Sequence, residues 1–115
     1  MSLVDQLSLQ PAPEWLYHVV SESEWASGAA DPAYRCPSLE SEGFIHLCYS
    51  HQLPGVLQRH FPDQRGLALL ELKLASLVGE KLIIEDLYGL NECFPHYYGE
   101  LQRSWVTRMI AISPK

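Results

Sequence analysis

Gly66-Leu67-Ala68-Leu69-Leu70-Glu71-Leu72-Lys73-Leu74 reads as a central strand. Its start is almost continuously apolar, the pattern of a strand covered on both faces rather than one alternating towards water. Working outward, Lys81–Leu87 (KLIIEDL) and Trp105–Ile112 (WVTRMIAI) are predicted to follow it as strands. Gly43–Cys48 (GFIHLC) and Trp15–Val20 (WLYHVV) are predicted to precede it. Between the first two strands, Ser21 with Glu24 three residues on forms a capping box, which predicts a short helix to about Gly28. Ser50 opens a second helix, with Leu53, Val56, Leu57 and Phe61 at three- and four-residue spacing. Pro54 falls in its first turn, where a proline is tolerated. Residues 28–37 and the aromatic-rich Tyr88–Glu100 are expected to be loops, and Met1–Pro13 a flexible tail. The expected fold is a compact single α+β domain over residues 14–115, with two small, mostly antiparallel sheets and short helices.

A chain of 115 residues with 47% hydrophobic content can bury one core but not two. The net charge of -6, from 8 Lys+Arg against 14 Asp+Glu, is the wrong balance for a nucleic-acid backbone partner. Apolar runs reach about six residues, far short of the roughly 20 that span a bilayer, so no membrane is expected. Met1–Pro13 has neither a basic start nor an apolar core, so no export signal is read there. Cys36, Cys48 and Cys93 are odd in number and form no CxxC. They predict a reducing, cytoplasmic setting without a disulfide framework. Monomer and homodimer are equally open.

The informative positions are polar groups set among apolar ones. His18 sits mid-strand in WLYHVV and His46 mid-strand in GFIHLC. Each alone is equally explained by a half-exposed strand face or by a buried imidazole satisfied by a backbone carbonyl. Together, both near the starts of strands that lead into capped helices, they point to a shared cleft. His96 lies in Phe94-Pro95-His96-Tyr97-Tyr98-Gly99, a loop suited to ligand contact, or simply one that leaves His96 in water. His51 and His60 are nine apart, on opposite sides of the predicted helix, and are read as surface residues.

A metal centre would need three or four converging ligands. His18, His46 and His96 are the only trio to consider, and no local ligand pair supports them, so no metal is expected. Cys48, two residues after His46, shares its strand face and allows a Cys–His pair, although a small buried thiol more often simply packs. Glu42, Glu71 and Glu85 offer carboxylates, and their spacing selects none of them.

Several separated motifs, in order, resemble the signature of the small bacterial proteins grouped as domain of unknown function 952. They are Leu16-Tyr17-His18, Pro37-Ser38-Leu39, Glu42-Gly43-Phe44-Ile45-His46, Gln52-Leu53-Pro54-Gly55-Val56, Glu85 and Phe94–Gly99. The likeness spans residues 15–112. That family is distantly similar to the ADP-ribosyltransferase fold, in which two small sheets hold NAD between them. Among such enzymes the NAD-dependent RNA 2'-phosphotransferases carry a Leu-Tyr-His-Gly-Thr strand that Leu16–Val20 resembles, and a later strand histidine to which His46 is similar. The resemblance implies that His18 orients a ribose of a bound dinucleotide and that His46 lines the same cleft. Val19-Val20 stands in place of the flexible Gly-Thr. Only 14 residues precede Trp15, so the additional N-terminal domain of the phosphotransferases has no counterpart and RNA dephosphorylation is not expected. The resemblance further implies a carboxylate beside the ribose, for which Glu85 is preferred over Glu100. The ring would rest on an aromatic shelf drawn from Tyr34, Tyr97 or Tyr98. Ser38 and His96 complete the expected ligand-binding set. Arg35 is a candidate for a phosphate, although a solvated loop residue is the plainer reading. The expected activity is ADP-ribosyl transfer or NAD hydrolysis. A binding module without turnover and a metal-assisted hydrolase are the alternatives.

Overall fold

The computed structural model describes residues 3–112. Strand β1 (Trp15–Ser21) leads through the expected capping box into helix α2 (Glu22–Ser27), which follows the short N-terminal helix α1 (Leu3–Leu7). The Ser21 side chain accepts from the Glu24 amide at 3.1 Å, and Gly28 closes the helix. A two-residue strand β2 (Ala33–Tyr34) and a short helix α3 (Pro37–Ser41) then precede β3 (Ile45–His46). A 3-10 turn at Ser50–Gln52 runs into α4 (Leu53–His60), followed by β4 (Leu67–Lys73) and α5 (Leu74–Leu77). The chain ends with β5 (Leu82–Glu85), β6 (Phe94–Tyr97), β7 (Leu101–Gln102) and β8 (Val106–Ile112).

All pairings are antiparallel. β4 is central in the sheet β1-β4-β8, as its apolar run requires. β3-β6-β5 form a second sheet and β2-β7 a small third ribbon. Alternation along β1 divides the interior in two. Leu16 and Val20 join Leu70, Leu72, Ile45 and Tyr97 in one cluster. Tyr17 and Val19 face the other way, into a cluster with Leu53 of α4, Leu69 and Cys48.

Two expectations are corrected. Residues 88–100 are not one long loop, because β6 lies within them as the middle strand of the second sheet. Pro95 hides this strand in the sequence, since proline cannot donate to a ladder. The Pro95 carbonyl still accepts from the Leu47 amide at 3.0 Å. The reciprocal bond is the one a proline cannot make, and there β3 leaves the sheet. At the next residue, Cys48 exchanges two bonds, both 2.8 Å, with Tyr17 of β1. The segment Phe44–Cys48 thus joins the two sheets.

The N-terminal segment, from residue 3 onward, is the second correction; residues 1–2 lie outside the described residues. It contains α1, and Leu7 and Leu9 pack on the second cluster. The Gln10 amide donates to the Tyr17 hydroxyl at 2.7 Å, and Arg108 reaches the Ser8 carbonyl at 3.0 Å. Beneath it, Glu71 is almost fully buried and receives Tyr17 Oη (2.8 Å), Thr107 Oγ1 (2.8 Å) and both Nε and Nη2 of Arg108 (3.2 and 2.7 Å). Burial pushes the Glu71 carboxyl up, and these donors outweigh it, so it is held below its usual range.

Candidate functional site

The joint between the sheets holds a cleft of about 490 Å³, a size that takes a nucleotide-sized molecule. Val19, Val20, Leu47, Leu67, Phe61 and Phe94 give it apolar walls, and His18, His46, Glu42 and Tyr88 supply a polar corner. Arg59 and His60, at the end of α4, and Glu24 of α2 also border it.

His18 and His46 reach the cleft through one bond. His18 Nδ1 lies 2.6 Å from the His46 carbonyl, and an imidazole nitrogen facing a carbonyl must donate. Nε2 is then the acceptor, and takes the Tyr34 hydroxyl at 2.9 Å. The His18 ring is 6% exposed, and burial lowers its pKa to about 4, so it is neutral at pH 7. Both ring nitrogens are committed to the protein. For a ribose hydroxyl to bond His18, as the family resemblance implies, it must displace Tyr34. Tyr34 is itself buried, does not border the cleft, and packs edge-on against His18 and Trp25.

His46 is the more open ring. Its Nε2 meets Glu42 Oε1 at 2.9 Å, and the other oxygen of Glu42 receives the Tyr88 hydroxyl at 2.5 Å. These bonds, that from Tyr88 first, hold the Glu42 carboxyl below its usual range. The turn that makes this possible is Gly43, whose φ of +90° lies where glycine is favoured. Its amide caps α3 on the Ser38 and Leu39 carbonyls, both at 3.1 Å. Ser38 borders the cleft, but its hydroxyl is spent on the Phe44 carbonyl at 2.8 Å.

His96 stands opposite His46 in the β3–β6 register, and their rings meet edge to face at 5.3 Å. It does not border the cleft. The ring is 1% exposed, lies stacked on Phe44 at 4.2 Å and donates from Nδ1 to Glu85 at 2.9 Å. Tyr98 donates to the same Glu85 oxygen at 2.5 Å. A second Tyr–Glu–His chain therefore lies beside the first, carried by β6 and β5. Glu85 bonds His96 and does not border the cleft, because β6 lies between its strand β5 and β3. Of the three carboxylates the sequence offered without preference, Glu42, Glu71 and Glu85, it is Glu42 that borders the cleft.

The remaining candidates fall elsewhere. Arg35 pairs with Glu100 at 3.2 Å, both well exposed and outside the cleft lining. Tyr97 is buried against Trp105. Cys48 borders the cleft, but burial pushes its thiol up to about 12, which removes the thiolate a nucleophile needs. Among the described residues no three His, Cys, Asp or Glu side chains converge as a metal site. Sequence reasoning missed Tyr88, which it left in an undivided loop, and Arg59. His51 is exposed as expected; His60 is exposed too, but reaches the cleft.

The family model described as "Protein of unknown function (DUF952)" matches residues 19–109. The crystal structure of protein CC0527 from Caulobacter crescentus is similar, with a TM-score of 0.79 at 30% identity over 88% of each chain. A double mutant of that protein gives 0.79 at 29% identity over 88% of each chain. Its solution NMR structure gives 0.76 at 30% identity, over 88% of this chain and 86% of that one. No curated protein matches the chain. No helix among the described residues is long and apolar enough to cross a membrane.

Proposed function

The chain belongs to the DUF952 family of proteins of unknown function, and we propose from that premise that the cleft binds NAD or a related nucleotide for ADP-ribosyl transfer or NAD hydrolysis. The observation that carries the reading is the joint lining of one cleft by His18, His46 and Glu42. It meets the resemblance of Leu16-Tyr17-His18 and Phe44-Ile45-His46 to the strand histidines of NAD-dependent transferases. The cleft suits such a molecule chemically. Its apolar walls accept flat rings, Arg59 offers the pyrophosphate a cation, and Glu42 offers the ribose end an anion.

When the bond between ribose and nicotinamide breaks, positive charge develops on the ribose, and a fixed carboxylate stabilises it. In this reading Glu42 takes that role. His46 holds one oxygen of that carboxylate, and Tyr88 the other. Glu85 and Tyr98 act at one remove, by fixing His96 against His46. His18 keeps the His46 backbone in place.

Calorimetric titration with NAD and with ADP-ribose, paired with an assay for released nicotinamide, is the test. Heat on binding and a rise in melting temperature are expected. Glu42→Gln should slow nicotinamide release by about 100-fold or more. No heat and no thermal shift at millimolar ligand would defeat the proposal. Binding without release, indifferent to Glu42→Gln and Glu85→Gln, would mark a binding module without turnover. That second reading has one observation in its favour: both oxygens of Glu42 already have partners.

A further inference from the structure

The His46 and Tyr88 rings border the cleft with their centroids 6.1 Å apart and their planes within 16° of parallel. Stacking on two faces at ~3.5 Å each sets the outer ring planes ~7 Å apart, so a flat ring enters only as one of the two rings swings outward. Tyr88 is the side that can give. It is half exposed, on the segment between β5 and β6. That segment is braced internally, because Asp86 accepts from the Leu90 and Asn91 amides at 3.0 and 2.9 Å, and Gly89 adopts a φ of +66°. His46 cannot retreat, since Phe44 and His96 pack behind it at 4.7 and 5.3 Å. At the edge of both rings stands the Glu42 carboxylate, an acceptor with no proton to give at neutral pH.

We infer that this slot takes a planar heteroaromatic ring bearing an N–H donor, a carboxamide or exocyclic amine, and that Glu42 and Tyr88 set the specificity for it. The ring stacks between His46 and Tyr88, and its N–H replaces the Tyr88 hydroxyl on Glu42. A ring bearing an acid in place of the amide is refused, because two carboxylates would face each other in a partly desolvated corner. This assignment rests on the nucleotide reading of the cleft, and its test is separable from that reading.

The experiment is an NMR titration of isotope-labelled protein with nicotinamide, adenine and nicotinate as bare rings. Nicotinamide or adenine should move the ring signals of His46 and Tyr88. Nicotinate should bind about tenfold more weakly than nicotinamide or worse. Glu42→Gln should bring the two pyridines to within about twofold, and Tyr88→Ala should weaken nicotinamide about fivefold by removing one stacking face. No response to either N–H-bearing ring, equal binding of the two pyridines by the wild type, shifts remote from the slot, or full affinity in Tyr88→Ala would each overturn the inference. If NAD and ADP-ribose give no heat while nicotinamide still enters the slot, the nucleotide reading falls and the slot stands. If NAD binds but Tyr88→Ala leaves its affinity unchanged, the reverse holds.

Discussion

His18 donates to the backbone carbonyl of His46 across 2.6 Å, so the least exposed imidazole bordering the cleft fixes the position of the more open one. The bond ties β1 to β3 where no regular ladder joins them. It also makes His18 a residue of the core as much as of the site.

His18→Ala should therefore unfold the protein more easily, not merely empty its cleft. The change strands the Tyr34 hydroxyl and the His46 carbonyl and leaves a void, at a cost of about 2–4 kcal/mol. Thermal unfolding should shift down by roughly 10 °C. A variant that melts with the wild type would show that the ring bears no structural load.

Acidification should reveal the same ring. Its folded pKa of about 4 lies below the ordinary histidine value of 6.5, so between these values the unfolded chain binds the extra proton. Stability must then fall as pH drops through 6.5 and stop falling on this account near 4. The loss approaches about 3 kcal/mol, at ~1.4 kcal/mol per pKa unit. Burial lowers His96 in the same direction, so His18→Gln should flatten the slope without abolishing it. Urea unfolding at pH 7, 6 and 5 measures this, and equal midpoints across the series would refute it.

Glu71→Ala should cost about 3 kcal/mol by leaving Tyr17 and Arg108 without the buried acceptor they share. Because Arg108 and Tyr17 also hold residues 8 and 10, the Gln10 amide should lose its protection from hydrogen exchange before the β4 amides lose theirs. Simultaneous exchange of both would mean that the N-terminal segment is not held through this network.

The cysteines should divide cleanly under alkylation. Cys93 is exposed, whereas Cys36 and Cys48 are buried, and Cys48 is pushed up to about 12. Iodoacetamide should add one adduct to the native protein and three in denaturant, counted by intact mass. Rapid native modification of Cys48 would contradict its burial.

The sequence was legible where local chemistry and burial agree. The continuous run Leu67–Leu72 marked a central strand, and the Ser21–Glu24 box marked its helix correctly, because each signal needs only near neighbours. The pairing of His18 with His46 in one cleft was also readable, since two histidines inside apolar strands demand partners. What failed depends on distant register. Pro95 concealed β6, and with it the facts that His96 opposes His46 and that Glu85 bonds His96 outside the cleft lining. Glu42 could be chosen over Glu85 only once the turn at Gly43 had brought it back to His46, and Tyr88 only once β6 had fixed the end of its loop.

The segment Phe44–Cys48 does two jobs with one stretch of backbone: it sutures the sheets and carries an imidazole into the opening between them. The width of that opening and the placement of the ring therefore cannot be tuned separately. Any substitution that shifts one sheet against the other also re-aims the chemistry, so variation in what the cleft accepts must come from its unsutured margins, the end of α4 and the segment bearing Tyr88.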